Sequence, residues 1–401
     1  MTLLLQRKAA PFFLLLLLFQ VPLETVEPAT ILWAAPAILL AAVMIAWAAE
    51  SAQFFIAQGF ALAILAWLQT LPEFAVEAVL AWKQQVPLLM ANLTGALRLL
   101  TGFGWPVIYL TAAVAKRRRG EGPLNVIELE DHHCVEVIGL MGPLAYAGVI
   151  AYKGSLDVID GVILTVIYVA YLVLLSRMPP EDPESVEELE AIPRKIVTSP
   201  RFQRTAVIAL LFAVGGFLIY ASAEPFLSSL LALSTMIGIP AFVFVQWVAP
   251  LVSEFPEMAS TFYWARTVQR APMALMNMVS SNINQWTLLP AMLAVVYALS
   301  VGAPDPIIFN ENQRSELMLT IGQAVVGLVF LTNMRLVWWE AAVMLFFFSI
   351  PFANSDWAEP ITIVYFIWAG IEVFRMLLGK RRAKAFHDFA DVWRNYVMPQ
   401  K

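Results

Sequence analysis

The sequence predicts an all-α polytopic membrane protein made of two inverted-topology five-helix repeats. Three observations support this fold class: an apolar composition, a series of membrane-length hydrophobic segments, and one motif that recurs in both halves. Of the 401 residues, 60% are hydrophobic and 14% are charged, whereas soluble domains average about 45–50% and about 25%. A water-soluble core of this size could not bury that apolar excess, so a soluble enzyme and a disordered protein are excluded.

The charge balance and the cysteine count exclude further classes. The net charge is −5, so the chain has no basic surplus with which to bind nucleic acid. Its one cysteine, Cys134, cannot form an internal disulfide and makes a thiolate metal site unexpected. No cofactor is predicted from the sequence.

The hydrophobic segments indicate eleven membrane crossings, because a helix needs roughly 17–25 apolar residues to span the hydrocarbon. They lie at 31–50, 54–82, 86–115, 135–152, 156–176, 205–223, 232–264, 271–300, 315–333, 336–352 and 360–379. A further apolar run within 1–30 follows Arg7 and Lys8. It lacks a nearby small-residue cleavage site, which favours an uncleaved extra helix over a removed signal peptide.

The basic residues predict the orientation, because Lys and Arg near span ends stay in the cytoplasm. They concentrate in alternate connections: 116–119, 177–204, 266–270, Arg335 and 380–384. The intervening connections contain only Lys83, Lys153 and Arg314. We therefore expect a multi-pass protein of the inner (cell) membrane with both termini in the cytoplasm.

The same features divide the chain into six parts. They are an N-terminal hydrophobic segment (1–30), a first repeat (31–176), a cytoplasmic linker (177–204), a second repeat (205–352), an additional transmembrane helix (353–379) and a basic tail (380–401). Four prolines among alternating acids and bases mark the linker. Aromatic residues at helical spacing in the tail predict an amphipathic helix lying on the inner leaflet.

The recurring motif is a Pro-Glu pair inside a hydrophobic span. Pro72-Glu73 in the first half corresponds to Pro256-Glu257 in the second, and each is followed by a proline-initiated span with an asparagine at its sixth position, Asn92 or Asn277. By the predicted topology, the two Pro-Glu spans cross the membrane in opposite directions. Inverted repeats of this kind are typical of secondary transporters, whose binding sites lie at the repeat interface near the midplane.

The chemistry of Pro-Glu favours a cation site. Proline leaves the carbonyl four residues earlier, of Leu68 or Val252, without its helical partner. A carboxylate at this depth costs roughly 2.5–3.5 kcal/mol on insertion scales. Oxygen lone pairs beside an anion suit hard cations such as Ca²⁺ or Na⁺. Glu73 and Glu257 are therefore the predicted centre of a midplane site.

These motifs resemble the calcium/cation antiporter superfamily, which includes the sodium/calcium exchangers. The family carries Gly-Thr-Ser-x-Pro-Glu followed by Gly-Asn-x-x-Gly-Ser-Asn-x-x-Asn/Asp in each repeat, and the resemblance extends over about 31–352. It implies that Glu73 and Glu257 are the metal-binding glutamates for a transported cation, expected to be Ca²⁺. The other cation-binding residues that it implies are Gln69, Thr70, Ser253, Glu254, Asn92, Asn277, Ser281 and Gln285.

Departures from the family pattern change the expected coupling. Ala96, Leu97 and Leu100 replace polar ligands in the first half, while Arg98 and Glu254 are added. We expect Arg98 to balance charge, and hypothesise that it pairs with Glu254 across the repeat interface. Fewer sodium ligands and an extra carboxyl group favour H⁺ over Na⁺ as counter-ion.

The sequence thus predicts a secondary active antiporter that exchanges Ca²⁺ or a related cation for H⁺ or Na⁺ by alternating access. Its predicted partners are inorganic cations and the lipid bilayer, and its oligomeric state is open. The alternative is a non-transporting membrane scaffold or cation sensor that retains the fold. A membrane enzyme is the third reading, and no nucleophile–base pair in the spans supports it.

Overall fold

A computed structural model describes residues 27–55, 70–178, 186, 189 and 191–398. Eight of its helices are long and apolar enough to cross a membrane, and two shorter apolar helices accompany them. The protein is therefore a helical multi-pass membrane protein. Most of the predicted N-terminal segment (1–30) and most of the linker's acidic stretch lie outside the described residues.

The first half contains seven α-helices and two short strands within the described residues. They are α1 (Ile31–Ala52), α2 (Leu71–Trp82), α3 (Val86–Leu99), α4 (Trp105–Arg118), β1 (Val126–Glu128), α5 (Cys134–Gly139), α6 (Met141–Lys153), β2 (Ser155–Leu156) and α7 (Val158–Leu175). A π-helical turn, Leu100–Gly104, joins α3 to α4 into one membrane-length rod. Such turns are frequent at functional sites.

The second half repeats this order after a short connecting helix. Its elements are α8 (Ala191–Val197), α9 (Arg201–Ile237), α10 (Ala241–Ser253), α11 (Phe255–Ala265), α12 (Ala271–Val301), β3 (Ile307–Ile308), α13 (Glu311–Leu331), β4 (Arg335–Val337), α14 (Trp338–Ala353), α15 (Ala358–Leu377) and α16 (Lys384–Val392). The first-half helix α1 packs along α9, and α7 packs along α12.

One predicted boundary is wrong. The sequence placed a loop between spans 205–223 and 232–264, but helix α9 continues through Pro225 to Ile237. The helix ends at Gly238, which takes a left-handed φ of 74° that few other residues tolerate. Pro240 then precedes α10. A proline inside this long membrane helix proved a weaker stop than a glycine with positive φ.

Both Pro-Glu pairs mark the start of a helix. Pro72 lies in the first turn of α2, and Pro256 lies in the first turn of α11, directly after α10 ends at Ser253. The N–H groups of the first helical turn have no partner within the helix, so proline, which lacks this group, is accommodated there at low cost. Residues Thr70 and Glu254 occupy the corresponding N-cap positions.

Two short strand pairs reflect the inverted symmetry. β1 pairs antiparallel with β4, and β2 pairs antiparallel with β3, so each pair joins the two halves. The β1–β4 pair lies at the end that carries Lys116–Arg119, which we call the basic end. The β2–β3 pair lies at the opposite end, where Arg314 donates to the carbonyl groups of Ala151 and Tyr152. Connections predicted to share a side of the membrane therefore contact each other.

The C-terminal tail packs against the helices at the basic end. Arg381 is 8% exposed and bridges Glu340 of α14 and Glu372 of α15 at 2.9 Å each. The following helix α16 packs on α5 of the first repeat and buries Ala385 and Val392. The sequence predicted that this helix lies on lipid, whereas one of its faces is buried on protein and Phe386 remains exposed.

Gly95 allows α3 and α10 to approach closely. A Cβ atom at this position would lie 2.0 Å from the carbonyl oxygen of Gln246. We expect Gly95→Ala to destabilise the protein by about 1–3 kcal/mol, because two backbones must separate. Thermal unfolding in detergent measures this, with Gly148→Ala as control, since nothing lies within 4 Å of a Cβ there. Equal melting temperatures for the two variants would show that the contact is unimportant.

Candidate cation-binding site

Three glutamate side chains from the two repeats meet where the helices α10 and α11 break. Glu73 extends from the first turn of α2, Glu257 extends from the first turn of α11, and Glu254 is the junction residue between α10 and α11. All three are buried, with relative exposures of 0%, 3% and 1%. These breaks place the three carboxyl groups at the ends of short helices, where they lie together in the protein interior.

Helix α12 crosses this cluster and supplies its neutral polar groups. The Gln285 side-chain amide donates to Glu73 at 2.7 Å and to Glu254 at 2.8 Å. One turn earlier, the Ser281 hydroxyl donates to Glu257 at 2.8 Å. Gln285 therefore joins the glutamate of the first repeat to the added glutamate of the second.

A second bond between the repeats lies beside the cluster. The Asn284 amide of α12 donates to the Thr70 hydroxyl at 2.7 Å, and both residues are buried. Thr70 and Glu254 hold equivalent positions in the two repeats, immediately before the Leu-Pro-Glu and Phe-Pro-Glu turns. The site is thus built by both halves but is not chemically symmetric.

The carboxyl groups also contact one another. The side chain of Glu254 lies within interaction distance of both Glu73 and Glu257. An ionised carboxylate can only accept, so a bond between two carboxyl groups requires a proton on one of them. Protonation of one group in each pair is therefore what would allow such bonds to form.

Several buried oxygen atoms at the site receive no hydrogen bond from the residues that the structure describes. They are Oε1 of Glu73, Oε1 of Gln285 and Oδ1 of Asn284. Carboxylate and amide oxygens are the ligands that hard cations such as Ca²⁺ take in proteins. Among the described residues no group of three or more His, Cys, Asp or Glu side chains is arranged to hold a metal ion.

Some predicted ligands lie outside the cluster's hydrogen bonds. Ser253 donates to carbonyl groups of its own helix, at Ala249 and Pro250. Asn92 donates to Glu77 instead of Glu73 or Glu257. Within the described part of the chain, the Asn277 amide nitrogen is buried without an acceptor. Gln69 falls outside the described residues.

The hypothesised pairing of Arg98 with Glu254 is wrong. The Arg98 guanidinium lies 2.7 Å from the carboxylate of Glu316, on α13, and 5.1 Å from the centre of the Trp247 ring. Gln246 of α10 donates to the same Glu316 carboxylate at 2.8 Å. Arg98 does balance a buried charge, but on a helix that the sequence argument did not consider.

The sequence argument missed two polar residues that the structure brings to this region, Glu316 and Asn284. Glu316 lies at the start of a predicted span, and Asn284 lies between the pattern positions of α12. Their side-chain polarity inside or beside a hydrophobic span was the available signal. Glu77, one turn after Glu73, was interpreted as an entry-path residue in preference to the polar end of its span, and the structure shows that it accepts a hydrogen bond from Asn92.

The chain is similar to known cation exchangers in sequence and in structure. The sequence model of the family described as "Sodium/calcium exchanger protein" matches residues 27–177 and 207–352. The crystal structure of an H⁺/Ca²⁺ exchanger, CAX, is 27% identical, covers 98% of this chain and 96% of its own, and has a TM-score of 0.85. Structures of the sodium-calcium exchanger NCX_Mj are 17% and 16% identical, cover 81% of this chain and 97% of theirs, with TM-scores of 0.53. No curated protein matches the chain in sequence.

Proposed function

Because the chain belongs to the sodium/calcium exchanger family of membrane transporters, we propose that it exchanges Ca²⁺ or a related hard cation for H⁺. The proposal rests on one observation: the buried side chains of Glu73, Glu254 and Glu257 lie together at the interface of two inverted repeats. A midplane site between such repeats can open alternately to either side. In the proposed orientation the basic end faces the cytoplasm of a cell membrane.

Burial supports a cation as the occupant. The partners of Glu73 and Glu254 in the cluster are amide and carboxyl groups. Burying an ionised carboxylate without a positive charge is costly, so the glutamates need either bound protons or a bound cation. These two states correspond to the two substrates of an antiporter. In the cation-bound state, the oxygen atoms of Glu73, Glu257 and Gln285 are the proposed ligands.

Three observations favour H⁺ as the counter-ion. Three buried carboxyl groups lie together around Glu254, and binding protons relieves the repulsion between their negative charges. Ala96, Leu97 and Leu100 stand where family ligands would be polar. The structural neighbour with 27% identity is an H⁺/Ca²⁺ exchanger. In the proposed cycle, cation binding displaces the shared protons, and protons arriving from the other side displace the cation.

Flux into proteoliposomes tests the proposal. We expect an imposed pH gradient to drive ⁴⁵Ca²⁺ uptake, and a Na⁺ gradient at equal pH to drive none. Uptake driven only by Na⁺ would show that Na⁺ is the counter-ion. Ca²⁺ binding without uptake under either gradient would favour the sensor alternative.

Glu254→Gln tests the shared proton. Glutamine keeps the size and one oxygen of the side chain but cannot release a proton at neutral pH. We expect pH-driven Ca²⁺ uptake to fall by about tenfold or more, since a hydrogen bond to a charged group is worth roughly 1.5–3 kcal/mol. Glu359→Gln, an exposed glutamate at the opposite end, is the matched control. Unchanged pH-driven uptake in Glu254→Gln would remove Glu254 from the coupling.

A further inference from the structure

Basic side chains from the two halves of the chain lie together at the basic end. Helix α4 of the first half carries Lys116, Arg117 and Arg118 in its last turn, and Arg119 is its C-cap residue. Arg266 is the C-cap residue of α11 in the second half. The Arg119 guanidinium donates to the backbone carbonyl of Arg266 at 2.9 Å, so the two helix ends are in contact. We call these five residues the arginine cluster.

The arginine cluster has little negative charge to balance it. Among the residues that the structure describes, the acidic side chain within 4 Å of the cluster is that of Glu121, which lies 3.8 Å from Arg119. Both side chains of this pair are exposed, so the pair contributes little. The C-terminus of each of the two helices carries about half a negative charge. With Glu121 counted, the cluster therefore retains a net charge of about +3.

The exposed side chains of the cluster suit a phosphate group. Four of its five residues are arginines, and all four are exposed. A guanidinium presents its N–H donors as a planar fork that matches two oxygen atoms of one phosphate. Such bidentate bonds to an anion are stronger than bonds between neutral groups. Arginines that two helices bring together can therefore hold one phosphate between them.

Both helices present apolar surface next to these arginines, on the side towards the membrane interior. On α4, Leu110 and Val114 are exposed, and they lie eight and four residues before Arg118, so all three share one helix face. On α11, Tyr263 is exposed three residues before Arg266, on the face of that arginine. Tyrosine is typical of the boundary between hydrocarbon and water. Each helix face is therefore apolar along its length and cationic at its end.

The depth of the cluster favours a lipid over a soluble phosphate. Residues Val86–Arg118 form one rod long and apolar enough to cross a membrane, and the cluster lies at its end. This position is the membrane surface, where anionic headgroups attract basic residues. A phospholipid has acyl chains for the apolar faces and a phosphate for the arginines, whereas a soluble phosphate matches only the arginines.

We infer that the arginine cluster and the exposed apolar faces beside it bind an anionic phospholipid, whose phosphate is shared by arginines of α4 and α11. The lipid offsets the positive charge of the cluster and holds the first half against the second at the basic end. Helix α11 carries Glu257 in its first turn, so the lipid fixes the far end of a helix that begins at the candidate cation site. The inference concerns lipid binding and holds whichever ions the protein exchanges.

The melting temperature of the protein in detergent, measured while phosphatidylglycerol is added, tests the inference. We expect this lipid to raise the melting temperature, and phosphatidylcholine, which has no net charge, to raise it far less. Arg118→Gln combined with Arg266→Gln should raise the concentration of phosphatidylglycerol at half-maximal effect about thirtyfold, because each basic residue near an anionic surface contributes about fivefold. Without the lipid, this variant should melt at or slightly above the native temperature, since repulsion within the cluster is reduced.

Two further variants control for charge and for folding. Arg201→Gln combined with Arg382→Gln removes two exposed basic residues outside the cluster, and it should keep the native response. Arg118→Lys combined with Arg266→Lys keeps the charges but loses the planar forks, so its response should lie between those of the native protein and the glutamine variant. The lysine variant decides the question if the glutamine variant does not fold.

Equal responses of the native protein and the cluster variants would overturn the inference, as would equal stabilisation by phosphatidylcholine and phosphatidylglycerol. An equal loss of response in Arg201→Gln with Arg382→Gln would show that lipid is attracted to the whole basic end and not to this site. Glycerol 3-phosphate, a headgroup without acyl chains, should not stabilise the native protein. Stabilisation by glycerol 3-phosphate as strong as that by phosphatidylglycerol would identify the occupant as a soluble phosphate and overturn the assignment to lipid.

Discussion

Glu73→Gln and Glu257→Gln are each expected to reduce cation flux by about a thousandfold. Each substitution keeps the side-chain shape but removes one of the two negative charges that the repeats contribute. A pair of unit charges about 4 Å apart interacts with about 4 kcal/mol at an effective dielectric constant of 20, which corresponds to that factor. Both glutamates are buried, so solvent screening weakens the interaction little.

Uptake of ⁴⁵Ca²⁺ into proteoliposomes under a pH gradient measures the loss. Glu359→Gln controls for the removal of a carboxylate elsewhere, and melting temperatures confirm that the variants are folded. Removing a buried carboxyl group also removes a desolvation cost. We therefore expect the two site variants to unfold at temperatures equal to or above that of the native protein. Flux that survives both substitutions would place the cation path elsewhere.

Arg98→Met is expected to destabilise the protein by about 3–5 kcal/mol, because it leaves the Glu316 carboxylate buried without its cation. The Arg98 side chain is 3% exposed and that of Glu316 is 12% exposed. Methionine fills a similar volume, so the loss reports the ion pair more than packing. Thermal unfolding in detergent measures the effect.

A second substitution identifies the partner of Arg98. Arg98→Met combined with Glu316→Gln should recover most of the stability, because neither side of the pair then carries a buried charge. Arg98→Met combined with Glu254→Gln should recover none, since Glu254 bonds to Gln285 and not to Arg98. If Glu254→Gln, and not Glu316→Gln, restored the stability that Arg98→Met removes, Arg98 would pair with Glu254 as first hypothesised.

Much of the fold was predictable because a bilayer restricts it. Within hydrocarbon every backbone polar group must be satisfied inside the segment, so hydrophobic length and charge distribution nearly define the spans. The recurrence of Pro-Glu predicted inverted repeats, and the family match confirms the superfamily. The boundary near Pro225 was mispredicted because the local sequence contains both a proline and an acid, and the helix tolerates both.

The sequence by itself determined the membrane class and the two corresponding halves, and it predicted Glu73 and Glu257 as the centre of a cation site. These follow from periodicity and from residues that are costly in lipid, which are properties of each segment alone. Only the tertiary structure decided the partners of the polar side chains. Arg98 forms an ion pair with Glu316, and Asn92 donates a hydrogen bond to Glu77. Gln285 donates to both Glu73 and Glu254. Such partners lie on different helices, and hydrogen bonds act over about 3 Å. Which groups come that close depends on how the helices cross, and no single segment encodes it.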